Sequence, residues 1–289
     1  MYALTGIPSF ITETGRFKTK NLHSVPIVIK SVLATQKVKE LNHMRMKFVG
    51  ITLLMLFLVR SAFAITVDEL INKNIEARGG LDKIRAIQSI KFTGQLTTKG
   101  RFGTLQLPYV VLMKRPDMYR TEFTLQGMTA IQAFDGRDAW RISPFRGRVD
   151  PEMMSADETK MIRINADIDG PLVDYKAKGN TVEYLGTEDV EGTEAHKLKV
   201  TFKSGDIRYI YLDPDYFLEI RETDVMRVRG AEAVQETDLG NYEQVNGVYF
   251  PFSMDSGEKD GPKDSSITIE KAEANVALDD SLFHFPAKH

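Results

Sequence analysis

From Ser89 almost to the C-terminus, apolar residues recur at every second position rather than every third or fourth. A side-chain period of two belongs to extended strands with one buried face. Ile90 and Phe92 open the pattern, followed by Leu105, Leu107, Tyr109, Val111 and Met113, then Tyr119, Thr121, Phe123 and Leu125, then Met128, Ala130, Gln132 and Phe134. Asp135-Gly136 is a hairpin turn signal leading into 139–142. Further on come Val182 and Tyr184, then His196, Leu198, Val200 and Phe202 opposed by Lys197, Lys199 and Lys203, then Ile207, Tyr209 and Tyr211. Leu218 and Ile220, the segment 232–245, the set Val248, Phe250, Phe252 and Met254, and the pair Ile267 and Ile269 complete the series. Turns fall at Ser204-Gly205, Asp213-Pro214-Asp215, Asn246-Gly247 and the polar stretch 256–265. About eleven short strands joined mostly by tight turns predict one antiparallel sheet, and a sheet that long must curl. The absence of βαβ alternation excludes a doubly wound parallel fold.

Helical signals bracket and interrupt this meander. Thr66-Val67-Asp68-Glu69 is a capping box, and Leu70, Ile71 and Ile75 carry its helix to Gly79-Gly80. Leu81, Ile84 and Ile87 predict a second short helical stretch. Between Pro151 and Gly170-Pro171 a third helix is expected, with Ser155 as N-cap, Glu158 three residues later, and an uneven apolar face around Met161 and Ile164. A helix inserted midway along a curled sheet either plugs the concave face as core or serves as a movable lid over an apolar cavity, and its Met153-Met154 approach fits both uses.

The front of the chain has a different character. Met44-Arg45-Met46-Lys47, an apolar run over 48–59, and Ala62 and Ala64 in A-x-A spacing form the three parts of a secretory signal peptide, with cleavage expected after Ala64. A membrane anchor is the alternative, but spanning takes about 20 apolar residues and Arg60 ends the run early. Residues 1–43 are basic and lack sustained periodicity. They read as a mis-assigned upstream start before Met44 or Met46, or as a disordered extension, with an organelle transit peptide as the rival. The domain expected to fold is then 65–289, as one unit.

Charge and composition narrow the function. Residues 1–64 hold nine Lys and Arg against two Glu, which leaves 29 basic and 38 acidic residues in the remainder. Such an acidic domain is a poor partner for a phosphate backbone, so nucleic acid is excluded. There is no cysteine, hence no disulfide, thiolate metal site, cysteine nucleophile or lipid-modified cysteine. No G-x-S-x-G, H-E-x-x-H, Gly-rich phosphate loop or EF-hand series occurs. Of the histidines beyond Ala64, two, His284 and His289, lie in the last six residues, and the third, His196, reads as a satisfied strand histidine. No catalytic residue, metal or cofactor is expected, and Asp213-Pro214-Asp215 reads as a turn rather than a calcium loop. Asp167 and Asp169 read as helix terminators, with orienting a substrate as the other option.

The remaining signal is apolar. Met113, Tyr119, Phe123, Met128, Phe134, Trp140, Met153, Met154 and Met161 lie on strands adjoining the inserted helix, or on or beside that helix. They either make plain core or line an unfilled cavity, since a curved sheet crossed by a helix can leave volume that side chains do not fill.

Several stretches carry a resemblance. They are 76–80 (Glu-Ala-Arg-Gly-Gly), 167–175 (Asp-Ile-Asp-Gly-Pro-Leu-Val-Asp-Tyr), 184–192 with 197–200, Tyr211-Leu212-Asp213-Pro214, and 245–252 (Val-Asn-Gly-Val-Tyr-Phe-Pro-Phe). In this order the chain resembles the outer-membrane lipoprotein-sorting proteins related to LolA, over nearly all of 65–289. The resemblance implies a mainly β (α+β) fold: a strongly curved, incomplete antiparallel β-barrel with an N-terminal helix and an inserted lid helix. It implies a periplasmic protein that carries acyl chains of lipoproteins or lipids in an apolar cavity. The partners would be an acylated lipoprotein or lipid, an inner-membrane donor complex and an outer-membrane acceptor, and the protein would act as a monomer. The alternative is a β-rich envelope interaction module that holds another protein without lipid cargo.

Overall fold

The computed structural model describes residues 65–100, 103–228 and 231–286; the expected signal peptide (44–64) and the upstream segment (1–43) lie outside the described residues. Thirteen strands form one antiparallel sheet: β1 (Ser89–Gly100), β2 (Gly103–Lys114), β3 (Met118–Leu125), β4 (Met128–Asp135), β5 (Ala139–Ser143), β6 (Arg148–Met153), β7 (Thr181–Val190), β8 (Thr193–Thr201), β9 (Ile207–Leu212), β10 (Glu219–Val228), β11 (Ala231–Val245), β12 (Val248–Glu258) and β13 (Lys263–Ala274). Their spatial order is β6-β5-β4-β3-β2-β1-β13-β12-β11-β10-β9-β8-β7. β1 and β13 meet at the centre, so two meanders of consecutive hairpins are joined by pairing the ends of the domain. The sheet is curved and unclosed: β6 and β7 are its edges, and the chain between them supplies part of the cover.

The alternation in the sequence predicts about eleven strands; β6 is one it does not signal. Its residues Arg148, Val149 and Asp150 are exposed and Pro151 interrupts it, which suits an edge where no second neighbour requires an N–H. The polar stretch expected as a turn over 256–265 is mostly strand, and the connection shrinks to 259–262. On β9 the helix-covered face is Arg208, Ile210 and Leu212 rather than Ile207, Tyr209 and Tyr211, because both faces of that strand are apolar and period alone cannot choose between them.

Three helices cover one face of the sheet. α1 (Val67–Ala77) starts at the expected capping box, where Thr66 Oγ1 accepts from the Glu69 amide at 3.2 Å and Glu69 Oε2 accepts from the Thr66 amide at 2.8 Å. Its Leu70 and Ile71 pack on Leu198 and Val200 of β8 and on Ile210 and Leu212 of β9. α2 (Leu81–Ala86) sets Ile84 beside Ile90, Phe252 and Ile269 at the sheet centre. α3 (Ala156–Asn165), also opened by a complete Ser155/Glu158 capping box, places Ile162 against Phe134 and Ala139. This last contact corrects the expected apolar face: Ile162 and the following Ala166 are buried, whereas Met161 and Ile164 are only half-buried. Four residues separate 162 from 166, so they stack along one stripe of the helix, and 161 and 164 fall beside it.

Motifs distant in the sequence meet at the α1–α2 turn. Gly79 has φ +122°, and a Cβ there would lie 2.1 Å from the Gly247 carbonyl oxygen, so only glycine fits against the β11–β12 turn. The Tyr249 amide then donates to the Arg78 carbonyl at 2.8 Å.

Candidate functional site

The helix-covered, inner face of the sheet carries most of the apolar candidates. Its membership follows from register, because directly paired residues of an antiparallel ladder share a face. Phe134 lies under α3, and its neighbours across the strands are Tyr119 on β3 and Ala139 on β5. Tyr119 pairs Met113, and Met113 pairs Ile90. Away from the helices the same face continues as Leu107 opposite Leu96, Phe123 opposite Tyr109, and Met128 opposite Leu125. Ile267 pairs both Leu96 and Met254, which carries this apolar surface across the sheet centre. Leu105 (47% exposed) and Met128 (41% exposed) mark the wet end of the surface.

Polar side chains sit deep in this apolar setting. Burial pushes Tyr109 up to about 12 and Tyr119 well above the usual tyrosine value. Both rings retain some accessibility, as expected of groups that line a concavity. In the other wing, Arg208 holds Asp224 through Nε at 2.6 Å and Nη2 at 2.8 Å, and Glu222 through Nη1 at 3.0 Å. Burial, with the charges of Asp224 and Glu219 adding to it, raises Glu222 to about 7, against the lowering pull of Arg208. Tyr242 caps the group by donating to the Glu219 carbonyl at 2.7 Å. Two carboxyls around one guanidinium form a closed network; nothing in it is a nucleophile beside a base.

The segment after α3 is tied to both flanks. Arg115, at the start of the β2–β3 turn, grips the Asp169 carboxylate through Nη1 at 2.8 Å and through Nη2, while its Nε donates to the Ile87 carbonyl at 2.8 Å. Arg78 Nη1 donates to the Asp169 carbonyl at 2.7 Å. Lys178 Nζ reaches Asp167 Oδ2 at 2.5 Å and the Gly170 carbonyl at 2.8 Å. Arg115 keeps Asp169 below its ordinary value even though burial works the other way; for Asp167 burial wins and raises it. Asp167 and Asp169 are therefore ion-pair anchors of the cover, a role the sequence does not signal, because Arg78 and Arg115 are brought to them only by the fold.

The nine apolar candidates divide. Phe134, Tyr119 and Met154 gather beneath α3 around Ile162. Met113 joins the central cluster around Ile90, Phe123 stacks on Phe145 with centroids 5.7 Å apart, and Met128 lies farther along the same face. Met161 is half-buried on α3. Trp140 and Met153 are corrections. Trp140 pairs Ala133 and Met153 on the outer face, where its Nε1 donates to the Phe283 carbonyl at 2.7 Å and Phe285 packs edge-on to its ring. Trp140 is buried by the C-terminal tail and not by any cavity, and Met153 is 52% exposed. The tail also receives Arg120 Nη1 at the Leu282 carbonyl, 2.6 Å, and Lys114 at Asp280, 2.5 Å.

His196 is satisfied as expected: Tyr184 Oη lies 2.9 Å from Nδ1 and Phe217 stacks on the ring, and burial lowers its pKa. Asp213 Oδ1 accepts from the amides of Asp215 and Tyr216, the bonds of a turn. Among the described residues no group of three or more His, Asp or Glu could hold a metal, and no helix is long and apolar enough to cross a membrane.

No family model matches the chain, and no curated protein matches it. Solved structures do. A LolA superfamily protein from Nitrosomonas europaea superposes with a TM-score of 0.54 at 14% identity, over 76% of this chain and 98% of that one. A DUF1329 family protein from Desulfovibrio piger gives 0.53 at 14% identity, over 75% and 97%. A domain from Vibrio parahaemolyticus described as an outer membrane lipoprotein-sorting protein domain gives 0.52 at 12% identity, over 74% and 94%. At these identities the likeness concerns the fold: the chain has the LolA-like fold, and the share of each relative that is covered means the whole of that fold is present.

Proposed function

We propose that the protein is a carrier, exported to the periplasm, that holds the acyl chains of a lipoprotein or lipid against the inner face of its open sheet and releases them towards the outer membrane. The observation that carries this reading is the continuation of the apolar inner face beyond the helices, from Tyr109 and Phe123 to Leu105 and Met128, on a sheet whose cover is a separate, ion-paired segment. An acyl chain gains ~0.8 kcal/mol per CH₂ taken out of water, so a dozen methylenes on such a surface suffice for retention, and a cover held by a few ion pairs opens at modest cost. A carrier of this kind has no energy source, so direction comes from affinity differences between an inner-membrane donor and an outer-membrane acceptor.

The test is native mass spectrometry of the exported protein together with titration by a fluorescent fatty acid. Retained acyl ligand and saturable binding support the reading. Protein that carries no lipid and does not bind the probe refutes it. That result would favour the second reading, a protein-interaction module, which has its own observation: among the described residues β6 and β7 have no outer neighbour, with Val149 and Leu185 exposed on them.

A further inference from the structure

A second concavity lies outside the acyl surface. Its lining comes from the β2–β3 turn, α3, the segment after α3 and the β8–β9 turn, and its volume is about 570 Å³. Lys160, Arg163, Lys178 and Lys203 face it against two carboxylates, Asp117 and Asp167. Lys178 is committed to Asp167 at 2.5 Å and Lys160 leans to Asp157 at 3.4 Å. Arg163 and Lys203 have no carboxylate within 4.0 Å among the described residues; Arg163 lies over the Phe134 ring, 5.5 Å from its centroid.

The pocket lining also includes a side-chain amide. Asn180 is 8% exposed, and its Oδ1 accepts from the Lys203 amide at 3.2 Å, which fixes the orientation of the side-chain amide. Its Nδ2 then donates to no described residue. This donor is open to solvent and so available to an acceptor, and it lines the pocket together with Arg163 and Lys203, whose side chains also lack acceptors among the described residues.

We propose that this pocket is a binding site for a carboxylate- or phosphate-type oxyanion, held by Arg163, Lys203 and the Asn180 amide. Arg163 is on α3 and Lys203 on the opposite wing, so a bound anion would cross-link cover and sheet. Asp117, on the pocket rim, and Asp167, paired with Lys178, are outnumbered by the four cations that line the pocket. Ile164 and Phe202 add apolar walls. A headgroup of a lipid lying in the cup and a free anion from solution share this chemistry.

Calorimetric titrations of the full chain separate them, using inorganic phosphate, dodecyl phosphate and, as an uncharged control, dodecyl maltoside. Binding of at least one phosphate probe is expected, falling tenfold or more in the double variant Arg163→Gln, Lys203→Gln and weakening with salt, with maltoside binding unchanged. Both residues are exposed, so the melting temperature of the variant should match wild type. Comparable binding of inorganic phosphate identifies a free anion as the ligand; binding of dodecyl phosphate alone identifies a headgroup. Phosphate binding with no affinity for either amphiphile would leave the pocket standing and refute the carrier reading. No phosphate binding, or equal binding by wild type and variant, overturns the proposal and leaves a solvent-filled pocket.

Discussion

Placing a carboxylate at either of two adjacent positions on α3 separates structure from function. Ile162 is 5% exposed and enclosed by Phe134, Ala139 and Ala166. Ile162→Asp loses about 1.5–3 kcal/mol of apolar burial. It also strands a carboxyl in an apolar site, and the combined cost should reach about 3–5 kcal/mol even after the group takes up a proton. A domain of this size loses about 2–4 °C of melting temperature per kcal/mol, so a fall of about 6–20 °C is expected. Met161 is half-buried beside that stripe, and Met161→Asp should cost less than about 1 kcal/mol, since its charge keeps a path to water. If α3 is a lid over acyl chains, Met161→Asp should still weaken fatty-acid binding, because the charge must be desolvated against the ligand. Thermal melts and fluorescent fatty-acid titration of the two variants and wild type form the assay. A large melting shift for Met161→Asp, or a folded Met161→Asp protein with unchanged affinity, would refute the lid. An unshifted Ile162→Asp protein would refute the packing of α3 itself.

Other outcomes follow from single contacts. Trp140, the only tryptophan, should keep its emission when fatty acid binds, and shift to the red when the chain is cut after Asp279, because Phe283 and Phe285 cover it on the outer face; a ligand-induced shift would contradict its placement. Gly79→Ala should prevent stable folding or cost more than about 3 kcal/mol in urea denaturation, given the 2.1 Å approach to Gly247 and the positive φ. Glu222 has a raised folded value, so its favourable contribution is full below the unfolded carboxylate value and is lost as pH rises through about 7. Denaturation at pH 5 and pH 8 should show Glu222→Gln to be less pH-dependent than wild type in that window. Glu158 has the opposite sign: the Ser155 backbone and hydroxyl and then Arg141 lower it to about 2, so the start of α3 should loosen as pH falls below the ordinary carboxylate range, which hydrogen exchange of 155–160 would detect.

Local signals were enough to determine much of this protein. The alternation of residues such as Tyr119, Thr121 and Phe123 marks strands wherever one face is dry. The Thr66 and Ser155 boxes mark helix starts through bonds that span only three residues, and Asn246-Gly247 and Asp213-Pro214 mark turns through their own backbone preferences. All of these are interactions between near neighbours, and near neighbours are visible in a sequence. β6 was not, because an exposed edge strand imposes no burial pattern. Which face of β9 meets α1 depended on packing against Leu70 and Ile71, more than a hundred residues earlier, and that Trp140 looks outward depended on its register with β4 and on Phe283 of the C-terminal tail, also more than a hundred residues away. The stripe of α3 that is buried was chosen by Phe134 and Ala139, not by its own uneven pattern. The anchoring of Asp169 by Arg78 and Arg115, the Arg208 network and the gathering of Arg163, Lys203 and Asn180 around one pocket arise only when two wings of a thirteen-stranded sheet curl towards each other. Charges carry no period, so a sequence shows that they exist, and only closure of the fold decides which of them meet.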